Sequence, residues 1–180
     1  MTDELLERIR DSVRTIPDFP KKGIMFRDIT PVLGEPGLVS SITNRFVEDI
    51  KELGWSPDVI VGPEARGFIF GPLLADRLGV GFVPIRKPGK LPYEVTTVQY
   101  TLEYGTGSME IHSDAIAENQ NVLIIDDLLA TGGTISACVN LCEGLGAKVL
   151  GALFVIELEG LGARDAIMPI KAHSLIEFPA

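Results

Sequence analysis

Val122-Leu123-Ile124-Ile125-Asp126-Asp127-Leu128-Leu129-Ala130-Thr131-Gly132-Gly133-Thr134 is the stretch that decides the fold. Four consecutive aliphatic residues with no polar alternation are the pattern of a strand buried on both faces, as in a parallel sheet covered by helices. The spacing predicts a strand over 122–126, with Asp126 and Asp127 at its carboxyl end, where open α/β sheets bind ligands. Ala130–Thr134 then opens a helix predicted over 131–145. Gly132 and Gly133 have no side chains to block a close approach. Their N–H groups, the Thr131 and Thr134 hydroxyls and the partial positive charge of a helix N-terminus can surround a phosphate. Two adjacent acids repel one another. Ribose hydroxyls, which can donate to both, or a metal chelated by a ligand would offset the repulsion. Acids for a sugar beside a phosphate cradle describe a phosphorylated ribose. A capping threonine explains one hydroxyl, but not two acids, two glycines and two threonines in succession. Neither a P-loop nor a dinucleotide glycine motif occurs.

Outward from this stretch, short aliphatic runs alternate with helical patterns. Strands are predicted over 58–62, 81–85, 149–158 and 174–178, and helices over 38–53, 67–78 and 161–167. Together with 122–126 they give an α/β fold with a parallel sheet flanked by helices. Leu5, Leu6, Ile9 and Val13 recur at helical spacing before Pro17. The following stretch to Gly37 is dense in Pro and Gly and reads as an irregular, ordered arm rather than helix or strand. Residues 88–118 break the alternation. There, 93–102 and 108–111 alternate with a period near two around Gly105 and Gly107, as in a hairpin-like, flexible lid. The whole is read as a single domain over 1–180, with a helix and hood arm in 1–37 and a lid excursion in 88–118.

Further chemistry-bearing residues fall at two other strand ends. Gly62-Pro63-Glu64-Ala65-Arg66-Gly67 is a turn that opens a helix and carries a cation suited to an anion. Arg86, Lys87 and Lys90 place three cations within five residues of an otherwise acidic chain.

The net charge of −9 argues against non-specific nucleic-acid binding, which depends on Lys and Arg neutralising phosphates, but leaves room for a local phosphate site. Cys138 and Cys142 are too few for a disulfide framework and read as buried thiols. The acidic start lacks a signal-peptide pattern, and runs such as Gly151–Ile156 are far short of the roughly 18 residues of a membrane span. A soluble, cytoplasmic protein without membrane or nucleic-acid partners is expected. His112 and His173 lack ligand-like spacing and read as structural or exposed.

The segment 122–134 resembles the phosphoribosyl-pyrophosphate signature of the type I phosphoribosyltransferases. Pro17-Asp18-Phe19-Pro20, Phe26-Arg27-Asp28-Ile29, Ala65-Arg66-Gly67-Phe68, Arg86 to Pro92 and Leu102-Glu103-Tyr104-Gly105 extend the likeness to adenine-specific members over nearly the whole chain. That resemblance implies the type I phosphoribosyltransferase fold with an N-terminal hood and a lid. It implies transfer of a phosphoribosyl group from phosphoribosyl pyrophosphate to adenine, giving AMP and pyrophosphate. By the same likeness, Asp126, Asp127, Ala130, Thr131, Gly132, Gly133 and Thr134 hold the phosphoribosyl group. Arg66, Arg86, Lys87 and Lys90 serve the pyrophosphate, with Lys87 reaching a neighbouring subunit's site in a homodimer. Met25, Phe26, Arg27 and Leu128 form the adenine site, through backbone groups at 25 and 27 and apolar faces at 26 and 128. Glu103, Tyr104, Asp126 and Asp127 act catalytically, Glu103 near N7 of the purine and the two aspartates by positioning the ribose. Mg2+ is carried mainly by the substrate, with no resident metal site. The pyrophosphate loop of relatives often holds a non-proline cis peptide, here near Glu64–Ala65. The alternatives are a 6-oxopurine (xanthine or hypoxanthine) acceptor, or a non-catalytic regulator that senses a phosphoribosyl ligand.

Overall fold

Strand residues Val122–Ile125 are fully buried because their strand is the middle one of five. The protein is described by a computed structural model over residues 3–102 and 105–180. In chain order the elements are α1 (Glu4–Ser12), β1 (Arg14–Pro17), β2 (Met25–Asp28), α2 (Thr30–Gly34), α3 (Leu38–Glu52), β3 (Val59–Pro63), α4 (Gly67–Leu78), β4 (Gly81–Ile85), β5 (Val95–Leu102), β6 (Gly105–His112), β7 (Asn121–Leu129), α5 (Gly133–Gly144), β8 (Lys148–Glu159), α6 (Ala163–Ala166) and β9 (Ala172–Pro179). The main sheet is parallel throughout, in the order β4-β3-β7-β8-β9.

The pleat divides the core. Val122 and Ile124 pack on one face with Cys138, Leu141 and Cys142 of α5 and Met109 and Ile111 of β6. Leu123 and Ile125 pack on the other with Phe46 of α3 and Phe70 and Leu74 of α4. Both thiols are buried, and burial pushes Cys142 up to about 12 and Cys138 up as well, so neither is a ready nucleophile.

Three expectations need correction. The Pro/Gly arm is not wholly irregular. β1 and β2 form an antiparallel ribbon, Arg14 opposite Asp28 and Pro17 opposite Met25, followed by the short α2. Pro20 and Gly23 sit in the 18–23 connection and Pro36 and Gly37 between α2 and α3, while Pro31 lies in the first turn of α2, where a missing N–H is harmless. Four-residue strands are too short to carry a readable period. Second, Gly105 and Gly107 lie inside β6 rather than between strands, with Gly107 opposite Tyr100. A Cβ there would stand 2.8 Å from the Tyr100 ring, so the glycine makes room for it. The base of this ribbon belongs to the core, since Met109 and Ile111 are buried and Arg86 exchanges backbone hydrogen bonds with Glu110. Third, β7 continues past the acids to Leu129, and α5 begins at Gly133 rather than Thr131. Gly132 at φ 84° stands outside helical space and sets that start.

The C-terminal strand ties down the hood. Arg27 donates from Nη1 to Thr15 Oγ1 at 2.5 Å and from Nη2 to the Pro179 carbonyl at 2.9 Å. The Phe178 ring takes the Arg27 and Arg10 guanidinium groups at 4.6 and 5.1 Å from its centroid.

Gly71 of α4 is packed so closely that a Cβ would stand 2.3 Å from Phe82 Cε2. The ring has little room to yield, because Phe68 meets it edge-on at 5.8 Å. Gly71→Ala should therefore lower stability by about 1–3 kcal/mol through overpacking, although alanine is the better helix former. Urea unfolding measures this, and an unchanged or raised midpoint would contradict the close approach.

Candidate active site

The carboxyl end of β7 receives two helix N-termini, one from each side of the sheet. Gly67 lets the first come close: a Cβ there would stand 2.8 Å from both the Ile125 carbonyl oxygen and Pro63 Cδ. Arg66, the residue before α4, thereby reaches the sheet, with Nε 3.1 Å from Asp127 Oδ2. The preceding Glu64–Ala65 peptide is cis, as the resemblance led one to expect.

The second helix, α5, follows the loop 130–133 on the opposite face. Arg66, Asp126, Leu128, Leu129, Ala130 and Thr131–Ile135 together line a cavity of about 160 Å³. Eight of the sequence-derived candidates thus meet at one place: Arg66, Asp126, Leu128, Ala130, Thr131, Gly132, Gly133 and Thr134.

The two acids are adjacent in sequence but do not share an environment. Asp126 follows Ile124 on the α5 face and lines the cavity, its Oδ1 accepting the Asp127 N–H at 2.9 Å. Asp127 follows Ile125 toward α4 and is wholly buried. Neither of its oxygens has a hydrogen-bond partner, although Arg66 stands beside them. Burial, with the neighbouring Asp127 charge second, pushes the Asp126 carboxyl well above its ordinary value. Burial also raises Asp127, and the Arg66 guanidinium only partly opposes it.

This loop, between a buried strand and a helix and bearing an acid, two glycines and two threonines, has close counterparts. The phosphoribosyl transferase domain family matches residues 36–173. An adenine phosphoribosyltransferase of Francisella tularensis subsp. novicida is 50% identical over 173 residues, 96% of this chain and 99% of the relative. The chain belongs to the adenine phosphoribosyltransferase family. The structure of a family member from Thermoanaerobacter pseudethanolicus superposes with a TM-score of 0.93 at 52% identity, covering 96% of this chain and 99% of that one. The Saccharomyces cerevisiae member, solved with an imino-altritol bisphosphate and adenine, gives 0.91 at 40% identity, covering 96% and 98%.

Other candidates lie outside that cavity. Arg86 is held by Glu64, Nε to Oε2 at 3.1 Å, and donates to the Lys90 carbonyl at 3.0 Å. Glu64 also accepts the Lys87 N–H, and these hydrogen bonds outweigh its partial burial to hold its carboxyl below the usual value. Lys87 and Lys90 are exposed, and neither side chain forms an ion pair among the described residues. Phe26 meets Phe19 edge-on at 5.1 Å, and Met25 is exposed. The Arg27 side chain is tied to Thr15 and Pro179 through its two Nη groups and stacks on Phe178, while its buried Nε has no hydrogen-bond partner. Glu103 and Tyr104 lie outside the described residues.

Sequence reasoning missed Leu129 and Ile135 as lining residues and Glu64 and Glu110 as supports of the basic loop. Glu110 accepts the Gly89 N–H at 3.0 Å. The one available signal was a run of three cations in an acidic chain, which calls for nearby carboxylates. His173 is structural, as expected, with Nε2 2.8 Å from Asp49 Oδ2.

Proposed function

We infer that the protein transfers the phosphoribosyl group of phosphoribosyl pyrophosphate to adenine, yielding AMP and pyrophosphate. The observation that carries this reading is the cavity in which Asp126, Arg66 and the Thr131–Thr134 loop converge in a chain half identical to named adenine phosphoribosyltransferases.

The loop 131–134 receives the 5′-phosphate through N–H groups at the start of α5 and the two threonine hydroxyls. Asp126 accepts from the ribose hydroxyls, which relieves a carboxyl otherwise pushed toward its neutral form. Asp127 enters through Arg66, holding the guanidinium at the cavity wall. The base nitrogen attacks the anomeric carbon while the bond to the pyrophosphate oxygen breaks. Arg66 and Lys87 neutralise the leaving group, and Arg86, fixed by Glu64, shapes the loop that carries Lys87. Met25 and Arg27 read the base through their backbone, between Phe26 and Leu128. Glu103 accepts the proton that N7 gives up as the base nitrogen attacks and the ring loses electron density, and returns it in the reverse direction, when the departing base becomes electron-rich; Tyr104 helps close the lid. Catalysis is mainly positioning and electrostatics.

Among the described residues no group of three or more His, Cys, Asp or Glu is placed to hold a metal. Asp126, a carboxyl that lines the cavity and that burial pushes toward its neutral form, nonetheless suits a divalent ion brought by an oxygen-rich substrate. Mg2+ bound in this way would neutralise charge on the pyrophosphate, and Asp126 is the acid that lines the cavity. A homodimer exchanging Lys87 and a cytoplasmic setting complete the proposal. No helix among the described residues is long and apolar enough to cross a membrane.

The test is a panel of adenine, hypoxanthine, xanthine and guanine with phosphoribosyl pyrophosphate and Mg2+, followed by nucleotide formation. Adenine is expected to be preferred, and a preference for hypoxanthine would overturn the assignment. Glu103→Ala should lower kcat about 10²-fold, the low end of the range of general acid–base effects. Wild-type rates at every pH would remove its proton role.

A further inference from the structure

The phosphate loop rests on α6, which cannot hold its own position. A Cβ on Gly132 would stand 2.9 Å from the Ala163 carbonyl oxygen and 3.1 Å from both Ala166 Cβ and Ile167 Cγ2, so α6 is the surface against which the loop is set. Ala163 and Ile167 are buried there. Yet α6 has only four residues, and a single helical turn has no stability of its own. Its place must come from ties to the sheet.

Besides the buried Ala163 and Ile167, one side chain supplies the polar ties. Arg164 makes a parallel pair of hydrogen bonds to Glu157 of β8, Nε to Oε1 at 2.8 Å and Nη2 to Oε2 at 2.6 Å. Its third arm, Nη1, donates to the Ala172 carbonyl at the start of β9, at 3.1 Å. Glu157 is buried and also accepts from Ser174 Oγ at 2.7 Å. The planar guanidinium thus fixes the one-turn helix to two strands in a geometry that an ammonium cannot copy.

We propose that Arg164 and Glu157 are positioning residues for the 5′-phosphate: they hold α6 under Gly132 and thereby fix the loop 131–134 in its ligand-binding form. Neither residue lines the cavity. Their effect belongs to phosphoribosyl binding rather than to base recognition or bond breaking. The proposal rests on the function inferred above.

The test compares the wild-type protein with Arg164→Lys, Arg164→Met and Glu157→Gln. KM for phosphoribosyl pyrophosphate, KM for adenine, kcat and the Kd for ribose 5-phosphate are measured, the last by calorimetry. Arg164→Lys keeps the charge and Glu157→Gln the shape, so folded protein is available even if Arg164→Met is unstable. Thermal melts verify folding. The expected result is about a tenfold rise in KM for phosphoribosyl pyrophosphate and in Kd for ribose 5-phosphate, with kcat and KM for adenine within about twofold of wild type, as loss of uniform binding requires. Unchanged ribose 5-phosphate affinity in the folded variants would overturn the proposal, as would parallel losses in all parameters. Failure of the wild-type protein to convert adenine would instead overturn the functional reading, while its affinity for ribose 5-phosphate would still report on the loop.

Discussion

Gly132→Ala is expected to lower kcat/KM for phosphoribosyl pyrophosphate by about 10²-fold, the scale of a 1 Å misplacement of binding groups. Two independent obstacles meet at this residue. Its φ of 84° is left-handed, which costs an L-residue roughly 1–2 kcal/mol. The added methyl would also stand 2.9 Å from a backbone oxygen, which cannot rotate away as a side chain could. The strain is relieved by turning residue 132 out of the left-handed region, and that re-aims the N–H groups meant for the phosphate. The Gly132 carbonyl accepts the Ser136 N–H at 2.8 Å in the first turn of α5, so the disturbance reaches the helix start. The sheet is not involved, and the melting temperature should fall by only about 2–4 °C for each kcal/mol of strain retained. Steady-state kinetics with varied phosphoribosyl pyrophosphate, alongside a thermal melt, measure both. Wild-type kcat/KM would show that the loop geometry is not needed for binding.

Asp127→Asn should separate activity from stability. Activity is expected to fall about 10²-fold, because a neutral amide cannot hold the Arg66 guanidinium at the cavity wall by charge. Stability should rise at neutral pH. In the wild-type protein a wholly buried carboxylate has oxygens without hydrogen bonds, and burial raises its pKa. For an acid whose folded pKa is raised, the native state binds more protons than the unfolded chain, so stability falls as pH rises from the ordinary value of 3.8 to the raised one. Above that window the loss is constant. Asparagine does not ionise and escapes it, although its unpaired amide still costs about 1–3 kcal/mol. Where the escaped loss exceeds that cost, the melting temperature at pH 8 rises above that of the wild type. The gain should vanish as pH falls toward 3.8, where the wild-type acid is already protonated. An advantage that grew on acidification would reverse the sign of the argued shift.

Much of this site was legible where one local signal sufficed. Gly67–Leu78 and Gly81–Ile85 match the expected bounds, because a helical pattern followed by Gly79 and an isolated five-residue apolar run are each read locally. The loop 130–134 was legible because its chemistry is consecutive. Arg86 with Glu64 was not, since the partners are 22 residues apart and meet only through the pairing of β3 with β4. The commitment of the Arg27 side chain to Pro179 is a contact across 152 residues, and no pattern near residue 27 announces it. The division of Asp126 from Asp127 could have been drawn from strand pleating alone, had the strand been extended past the acids to Leu129.

That division has a consequence for how the strand tolerates change. Because Val122–Ile125 are apolar on both faces, a one-residue deletion or insertion there would leave the core as greasy as before. The same frameshift of the pleat would change which residue answers to α5 and which to Arg66, leaving one of the two addresses without its acid. The aliphatic run therefore works as a blank ruler, and the paired carboxylates are its only graduation: a lineage could exchange its letters freely, but not its length.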